Sequence, residues 1–402
     1  MRTTDQKESL LYITYDGILE PLGQSQVLSY LENLSSQFEV HLVSYEKNSD
    51  IKNLQLVQLI SERVKSAGIS WTPLKYHKSF SILSTSWDLI VGLLVCVKIV
   101  ISNKIMLVHA RSYVPSIIAL LIKKILKTYF IFDMRGFWAD ERVDGGLWKK
   151  NGSLYNVAKW FERKFLLNAD HIVSLTHAGI TAMKQFPYLI NNIPPHSVIP
   201  TCADLKHFTV KPNKNKSFTL GYVGSVGLWY DFDATLLCFN ELLKVKKDSN
   251  LLIINKNEHE FIYRKIKEHE IPLEHIKIIS ASFQEIPKYI NSMDAGIFFI
   301  KPYFSKQASA PTKLAEFLGC GVPCLSNNGI GDMSSVFQRY KVGVAINDFS
   351  VEEYQRGISA ILDLSNSQDI YDRCRETAQT IFSLESGAKA YAKIYEELIS
   401  SR

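Results

Sequence analysis

Along the chain, short unbroken apolar runs alternate with longer stretches in which apolar residues recur every three or four positions. The runs are LLYIT (10–14), VHLVS (40–44), IMLVHA (105–110), YFIFDM (129–134) and HIVSL (171–175), then TLGYVG (219–224), LLIIN (251–255), IKIIS (276–280), AGIFFI (295–300) and VPCLS (322–326). Continuous apolar strands separated by helix-length segments predict parallel sheets buried on both faces. The expected fold class is α/β, built from doubly wound units. The rhythm breaks inside VIPTCADLKHFTVKPNKNKSFTLGYVG (198–224), whose middle is polar, charged and carries proline. Residues 205–217 therefore read as a linker between a first domain, 1–204, and a second, 218–385, with a helical pattern at 386–400 after the second sheet is complete.

Composition agrees with this division. A chain of 402 residues is too long for one ordinary core, and 46% hydrophobic with 21% charged residues fits globular domains. The net charge of +6 suits an anionic ligand or an anionic membrane surface, but proteins with neither are equally basic. No basic stripe interleaved with aromatic residues points to nucleic acid. The six cysteines form no CxxC or Cys/His ligand spacing and read as reduced thiols of a cytoplasmic protein. The start, MRTTDQKESLLYIT, has no apolar core of a signal peptide. The longest apolar run, Leu89 to Ile101, is interrupted by Lys98 and reads as too short to span a bilayer.

Open α/β sheets bind ligands beyond the carboxyl ends of their strands, so the informative residues follow the runs. The stretch SAPTKLAEFLGCGVPCL (309–325) sets Leu314, Phe317 and Leu318 on one helical stripe, with Thr312, Lys313 and Glu316 together on another side. Ser309 is the expected N-cap, Pro311 falls in the first turn, and Gly319 or Gly321 supplies the left-handed stop. Such a helix start leaves amide N–H groups free and attracts anions; Lys313 adds a full charge, and a carboxylate at Glu316 suits the two hydroxyls of a sugar diol. From these residues alone, a capped surface helix with a solvated lysine and glutamate is an equal alternative.

Other strand ends add weight. Gly23 and Gln24-Ser25-Gln26 precede a helix in the first domain, and Gly224 and Gly227 flank a strand-to-helix turn in the second; neither is GxGxxG, and each alone suits an ordinary turn. His109, Arg111, Asp133, Arg135 and Glu141 cluster just past two first-domain runs beside Phe137 and Trp138, as binding residues or as a salt-bridged loop. Lys301 and Lys306 follow AGIFFI as candidate phosphate partners, although Lys306 also reads as merely solvated. The DFD at 231–233 has the spacing of a metal-holding DxD, but it stands directly before a helical pattern, so capping by Asp231 or Asp233 is preferred and no metal is assigned.

These residues resemble the retaining GT-B glycosyltransferases of family 4, also known as glycosyl transferases group 1. The resemblance rests on DGILEPLGQSQVLSYL, VIPTCADLKHF, GYVGSVGLWYDF, MDAGIFFIKP, SAPTKLAEFLGCGVPCL and the closing aromatic helix, in that order along nearly the whole chain. It implies two facing Rossmann-like domains, a C-terminal crossover helix that joins 386–402 to the first domain, and a UDP- or GDP-sugar as co-substrate with no required metal or other cofactor. It further implies that Gly224, Ser309, Thr312, Lys313 and Glu316 hold the donor nucleotide, with Gly23 approaching its sugar and phosphates. Lys313 and Lys301 would stabilise the departing diphosphate, and Asp133 or Arg135 would stand where many members carry a histidine. His109, Arg111 and Glu141 would face a glycan or lipid-linked acceptor.

Two departures are visible. The first of the family's two glutamates would fall at Ala308, and the Arg and Lys common after the second-domain glycine turn are absent from SVGLWYDF. A cytoplasmic transferase of bacterial surface polysaccharide synthesis is the expected role; Lys98, Lys104, Lys123, Lys124 and Lys127 on apolar helices suit the inner membrane leaflet, and equally suit ordinary buried helices with solvated lysines. Two alternatives stay open at this stage: a nucleotide-sugar epimerase on the same fold, and a non-catalytic nucleotide-sugar-binding assembly protein.

Overall fold

The computed structural model describes residues 7–77, 82–211 and 216–401. The chain divides into two compact units, Met1–Pro200 with Leu384–Arg402, and Thr201–Ser383. In the first unit, strands β1 (Glu8–Thr14), β2 (Phe38–Lys47), β3 (Ser70–Tyr76), β4 (Leu107–Arg111), β5 (Tyr129–Asp133), β6 (His171–Ser174) and β7 (His196–Val198) form a parallel sheet in the order β3-β2-β1-β4-β5-β6-β7. The order reverses between β1 and β4, which pair from Leu10 with Leu107 to Thr14 with Arg111. Strand ends diverge at such a reversal and leave a crevice.

The final helix, Leu384–Ser400, packs on this sheet's own helix Ser29–Leu34. Tyr391 and Tyr395, one helical turn apart, anchor it: their rings meet Tyr30 of that helix and Phe38 at the start of β2 edge-on at 5.8 and 5.3 Å. The helix Ile82–Ser102 is longer than its most apolar stretch suggests. The helix holding the run read as Leu89–Ile101 begins earlier and includes LSTSW (83–87) and Asp88, so a 20-residue segment, Leu83–Ser102, has the length and composition of a membrane span. The expectation that no segment is long enough is corrected: serines and threonine interrupt the apolar run without ending the helix.

In the second unit, β8 (Thr219–Val223), β9 (Asn250–Ile254), β10 (Ile276–Ile279), β11 (Ala295–Ile297), β12 (Cys324–Asn327) and β13 (Gly343–Ile346) form a parallel sheet in the order β10-β9-β8-β11-β12-β13. Here the reversal lies between β8 and β11. Tyr222, Phe239, Phe298, Phe299, Phe317 and Tyr354 fill the core on its faces. Residues 201–208 belong to this unit rather than to the first domain or a linker. Ala203 donates its amide to Phe382, Phe208 is 1% exposed in the core, and Arg375 donates to the carbonyls of Leu205, Phe208 and Gly319. Of the expected linker, residues 212–215 lie outside the described residues. All six cysteines are buried and unpaired with one another.

Candidate functional site

The helix Thr312–Gly319 starts where the sequence places it, but its cap differs. Ser309 does not cap it; Pro311 takes that position, has no side-chain acceptor, and leaves the first-turn amides without a side-chain partner. Proline followed immediately by the helix displaces the cap two residues from the expected serine. At the other end Gly321, with φ +81, ends the helix: its amide donates to Leu318 O and that of Val322 to Phe317 O, a Schellman pair.

This helix start stands beside the turn that follows β8. Gly224 has φ +100, a region open to glycine and strained for other residues. A Cβ on it would lie 3.5 Å from the Lys313 Nζ. Lys313 is 6% exposed, and its ammonium nitrogen lies 3.8, 4.6 and 5.5 Å from the ring centres of Tyr230, Tyr222 and Phe298. Among the described residues no hydrogen-bond acceptor meets that nitrogen. Burial lowers the Lys313 pKa to about 7, partly offset by Glu316. One turn along, burial pushes the half-buried Glu316 carboxyl up to about 7, against the pull of Lys313. Two oppositely charged groups are thus held near the middle of their titrations, with ring faces as the lysine's main company.

Residues outside the sequence motifs hold the turn. Asn255, just past β9, donates its amide nitrogen to Gly224 O at 3.0 Å and to Glu258 at 2.8 Å; Glu258 accepts in turn from the Val226 amide and the Ser225 hydroxyl, both at 3.1 Å. The only sequence signal was an asparagine closing LLIIN. Lys301 lies past β11, and its amide donates to Trp229 O at 3.0 Å. Lys306 is 4% exposed with its ammonium 4.1 Å from the Trp229 ring centre, which corrects its reading as solvated. Ala308 is fully buried. Asp231 caps the helix Phe232–Val245 through the Ala234 amide, and Asp233 pairs with His269 at 2.7 Å, so the two aspartates are engaged locally.

The first unit gathers a second polar cluster at the ends of β4 and β5. Asp133 is wholly buried; its Oδ2 accepts from the Tyr391 hydroxyl at 3.1 Å and lies 3.4 Å from His109 Nε2, while Arg111 and Arg135 approach the carboxylate at 3.9 and 3.8 Å. Burial alone raises an acid's pKa, but Arg135, His109 and Arg111 bring Asp133 below the usual range. Arg111 also reaches Asp16 after β1 at 3.3 Å. His109 is corrected as an acceptor-facing residue: it is 0% exposed, with Nδ1 2.6 Å from the Tyr395 hydroxyl, and burial lowers its pKa. Glu141 sits half-buried on the next helix, Trp138–Asp144.

Backbone strain marks the same strand ends. Ser112 after β4 has φ 70 and Arg135 after β5 has φ 57, both left-handed without glycine. Non-glycine residues hold this region only where surrounding contacts impose it, a condition met most often at functional sites. After β1, Gly23 lets its helix approach closely, since a Cβ there would collide with the Gly17 carbonyl oxygen. Buried Glu46 fixes that loop, accepting from the Ile18 and Leu19 amides at 2.9 and 3.1 Å.

Residues 205–380 match the family model described as Glycosyl transferases group 1. The curated proteins give no match. Among solved structures the chain is similar to sucrose-phosphate synthase from Thermosynechococcus elongatus, at 11% identity and TM-score 0.74 over 98% of this chain and 100% of that one. It is similar to a glycosyltransferase from Rickettsia africae, at 14% identity and TM-score 0.71 over 98% and 100%. It is also similar to Anabaena HepE in complex with UDP and glucose, at 11% identity and TM-score 0.66 over 96% and 99%. The shared feature at such identities is the fold, two Rossmann-like units of the GT-B kind. The chain thus has a GT-B fold, and its second unit is where the match to the glycosyl transferases group 1 model lies.

Proposed function

We propose that this chain transfers a sugar from a UDP- or GDP-sugar to a glycan or lipid-linked acceptor, with retention of anomeric configuration and without a required metal ion. The observation that carries the reading is the juxtaposition of Gly224, Lys313 and Glu316 at the end of β8. A strand-end glycine lets a phosphate approach the backbone, free first-turn amides and an ammonium offset its charge, and a carboxylate one turn on suits the ribose diol. HepE, on the same fold, was solved with UDP and glucose bound.

In this reading the bond between the sugar C1 and the diphosphate oxygen breaks as the acceptor oxygen attacks C1 from the same face. The acceptor's proton passes to the leaving diphosphate. Lys313, Lys301 and Thr312 stabilise the charge that gathers there, which is the main catalytic contribution asked of the protein. In the first unit we assign Arg135 and Arg111 to the acceptor's polar groups, with Asp133 as the positioning residue that orients both. A role in bacterial surface polysaccharide synthesis at the cytoplasmic face follows from the family analogy.

Isothermal titration with UDP, GDP and their sugars identifies the donor, and incubation with lipid and glycan extracts then tests transfer. The anomeric configuration of the product, read from its C1 proton coupling, tests retention. Isomerised donor without an acceptor would instead indicate an epimerase. Binding with no consumption in any extract would indicate a non-catalytic binding protein.

A further inference from the structure

The helix Ile82–Ser102 has two apolar faces, and only one lies in the core. On the inner face Asp88 is 2% exposed and accepts from the Tyr15 hydroxyl at 2.8 Å, while Cys96 and Val100 are buried. On the outer face Leu83, Trp87, Ile90, Leu94 and Ile101 recur at helical spacing and are each more than half exposed, Leu83 at 80% and Leu94 at 67%. The helix Tyr113–Leu126 packs beside it and adds Ile125, 63% exposed; Ser153–Asn168 packs beside that and adds Trp160, 54% exposed. Scattered surface apolar residues are ordinary, but a continuous stripe along a 20-residue helix is not.

The exposed charge on the first two of these helices and just beyond them has one sign, although Lys123 pairs with Asp170. Between Asp88 and Asp133 the chain contains Lys98, Lys104, Arg111, Lys123, Lys124 and Lys127 and no acidic residue. Lys98, Lys104, Lys124 and Lys127 are exposed in or just beyond the last turns of the two helices. A second copy docked face to face on this surface would set like charges against each other in a two-fold contact.

We propose that this face of the first unit docks on an anionic lipid bilayer, with the Ile82–Ser102 helix lying in the headgroup region and the lysines on lipid phosphates. Apolar residues along one side with lysines at their margin is the arrangement of an interfacial helix. Spanning is excluded by the inner face, because it would draw Asp88 and its partners out of the core. The inference stands on the first unit alone and does not depend on sugar transfer.

Flotation of the full-length chain with vesicles tests it, since vesicles without glycan carry no acceptor. The chain is expected to float with vesicles containing phosphatidylglycerol, weakly with phosphatidylcholine alone, and less as salt rises. Ile90→Glu with Leu94→Glu, and separately Lys98→Glu with Lys124→Glu, should each weaken binding by about tenfold or more while melting temperature and nucleotide binding stay unchanged. Should the glutamate pair lower the melting temperature, Ile90→Ser with Leu94→Ser replaces it. Brominated lipid should quench tryptophan emission in the wild type and less in Trp87→Phe. No flotation of the wild type, equal flotation of the variants, or a stripe-dependent dimer that ignores lipid would each overturn the proposal.

Discussion

The Lys313 ammonium nitrogen lies 3.8 Å from the centre of the Tyr230 ring, and among the described residues no oxygen accepts its protons. Ring faces recover part of the hydration it has lost, but less than an anion would. The ligand-free unit therefore carries a group that is costly to bury and suited to receive a phosphate.

Lys313→Met should separate these two effects. Nucleoside diphosphate affinity is expected to fall by about 2 kcal/mol, roughly thirtyfold, the range for a hydrogen bond to a charged group. The ligand-free protein should gain about 1 kcal/mol, since an unpaired buried ammonium is replaced by an apolar chain of similar length. Calorimetric titration and thermal melting check the two halves. A variant that binds as well as the wild type would remove Lys313 from the site.

Affinity should also depend on pH in a bell shape with its top near 7. Lys313 must be protonated to hold an anion, so each pH unit above about 7 is expected to cost about tenfold; Glu316 must be ionised to accept from a diol, so affinity falls below about 7 as well. Lys313→Met should flatten the alkaline limb and Glu316→Gln the acid limb. Stability of the ligand-free protein should run the opposite way. Between 7 and 10.5 the unfolded chain holds a proton on Lys313 that the folded one has lost, so stability rises with pH. Between 4.5 and 7 the folded chain holds an extra proton on Glu316, so stability falls as pH rises. A stability minimum near pH 7, relieved by saturating nucleotide, is the expected result of denaturant titration.

Gly224→Ala should lower both stability and affinity. At φ +100 an alanine costs about 1–3 kcal/mol of strain, and its methyl would stand in contact range of Lys313 Nζ. Melting temperature and nucleotide Kd are the readouts. An unchanged Kd would mean that the turn holds the fold and not the ligand.

Asp133→Asn leaves His109, Arg111 and Arg135 without their buried counter-charge. A loss of about 3 kcal/mol or more is expected from denaturant titration. The Asp133 carboxyl is held below its ordinary 3.8, so its contribution is present above that value and is lost as pH falls through the lowered one. The asparagine variant should therefore be the less stable protein at neutral pH and should approach the wild type in acid.

Much of the scaffold was legible from the chain because a strand buried on both faces has to be apolar at every position. All ten apolar runs lie on or overlap strands. The three strands without such a marker, Ser70–Tyr76, His196–Val198 and Gly343–Ile346, are all sheet edges and only partly covered; the first two are in part polar, and the third is apolar but only four residues long and begins at a glycine. Gly224, Thr312, Lys313 and Glu316 were legible for a related reason: each belongs to a local strand-end or helix-start pattern that needs no knowledge of distant residues.

The local pattern of the sequence by itself determined the two parallel sheets, the short helix with its proline start and glycine stop, and the charged residues at its head. Only the tertiary structure decided which of those charges lose water. Lys313 is lowered to about 7 by the rings of Tyr222, Tyr230 and Phe298, drawn from other strand ends. Asp133 is covered by Tyr391, which lies 258 residues away along the chain. Desolvation is a property of everything packed around a group, so it appears only when the segments that supply the packing have come together.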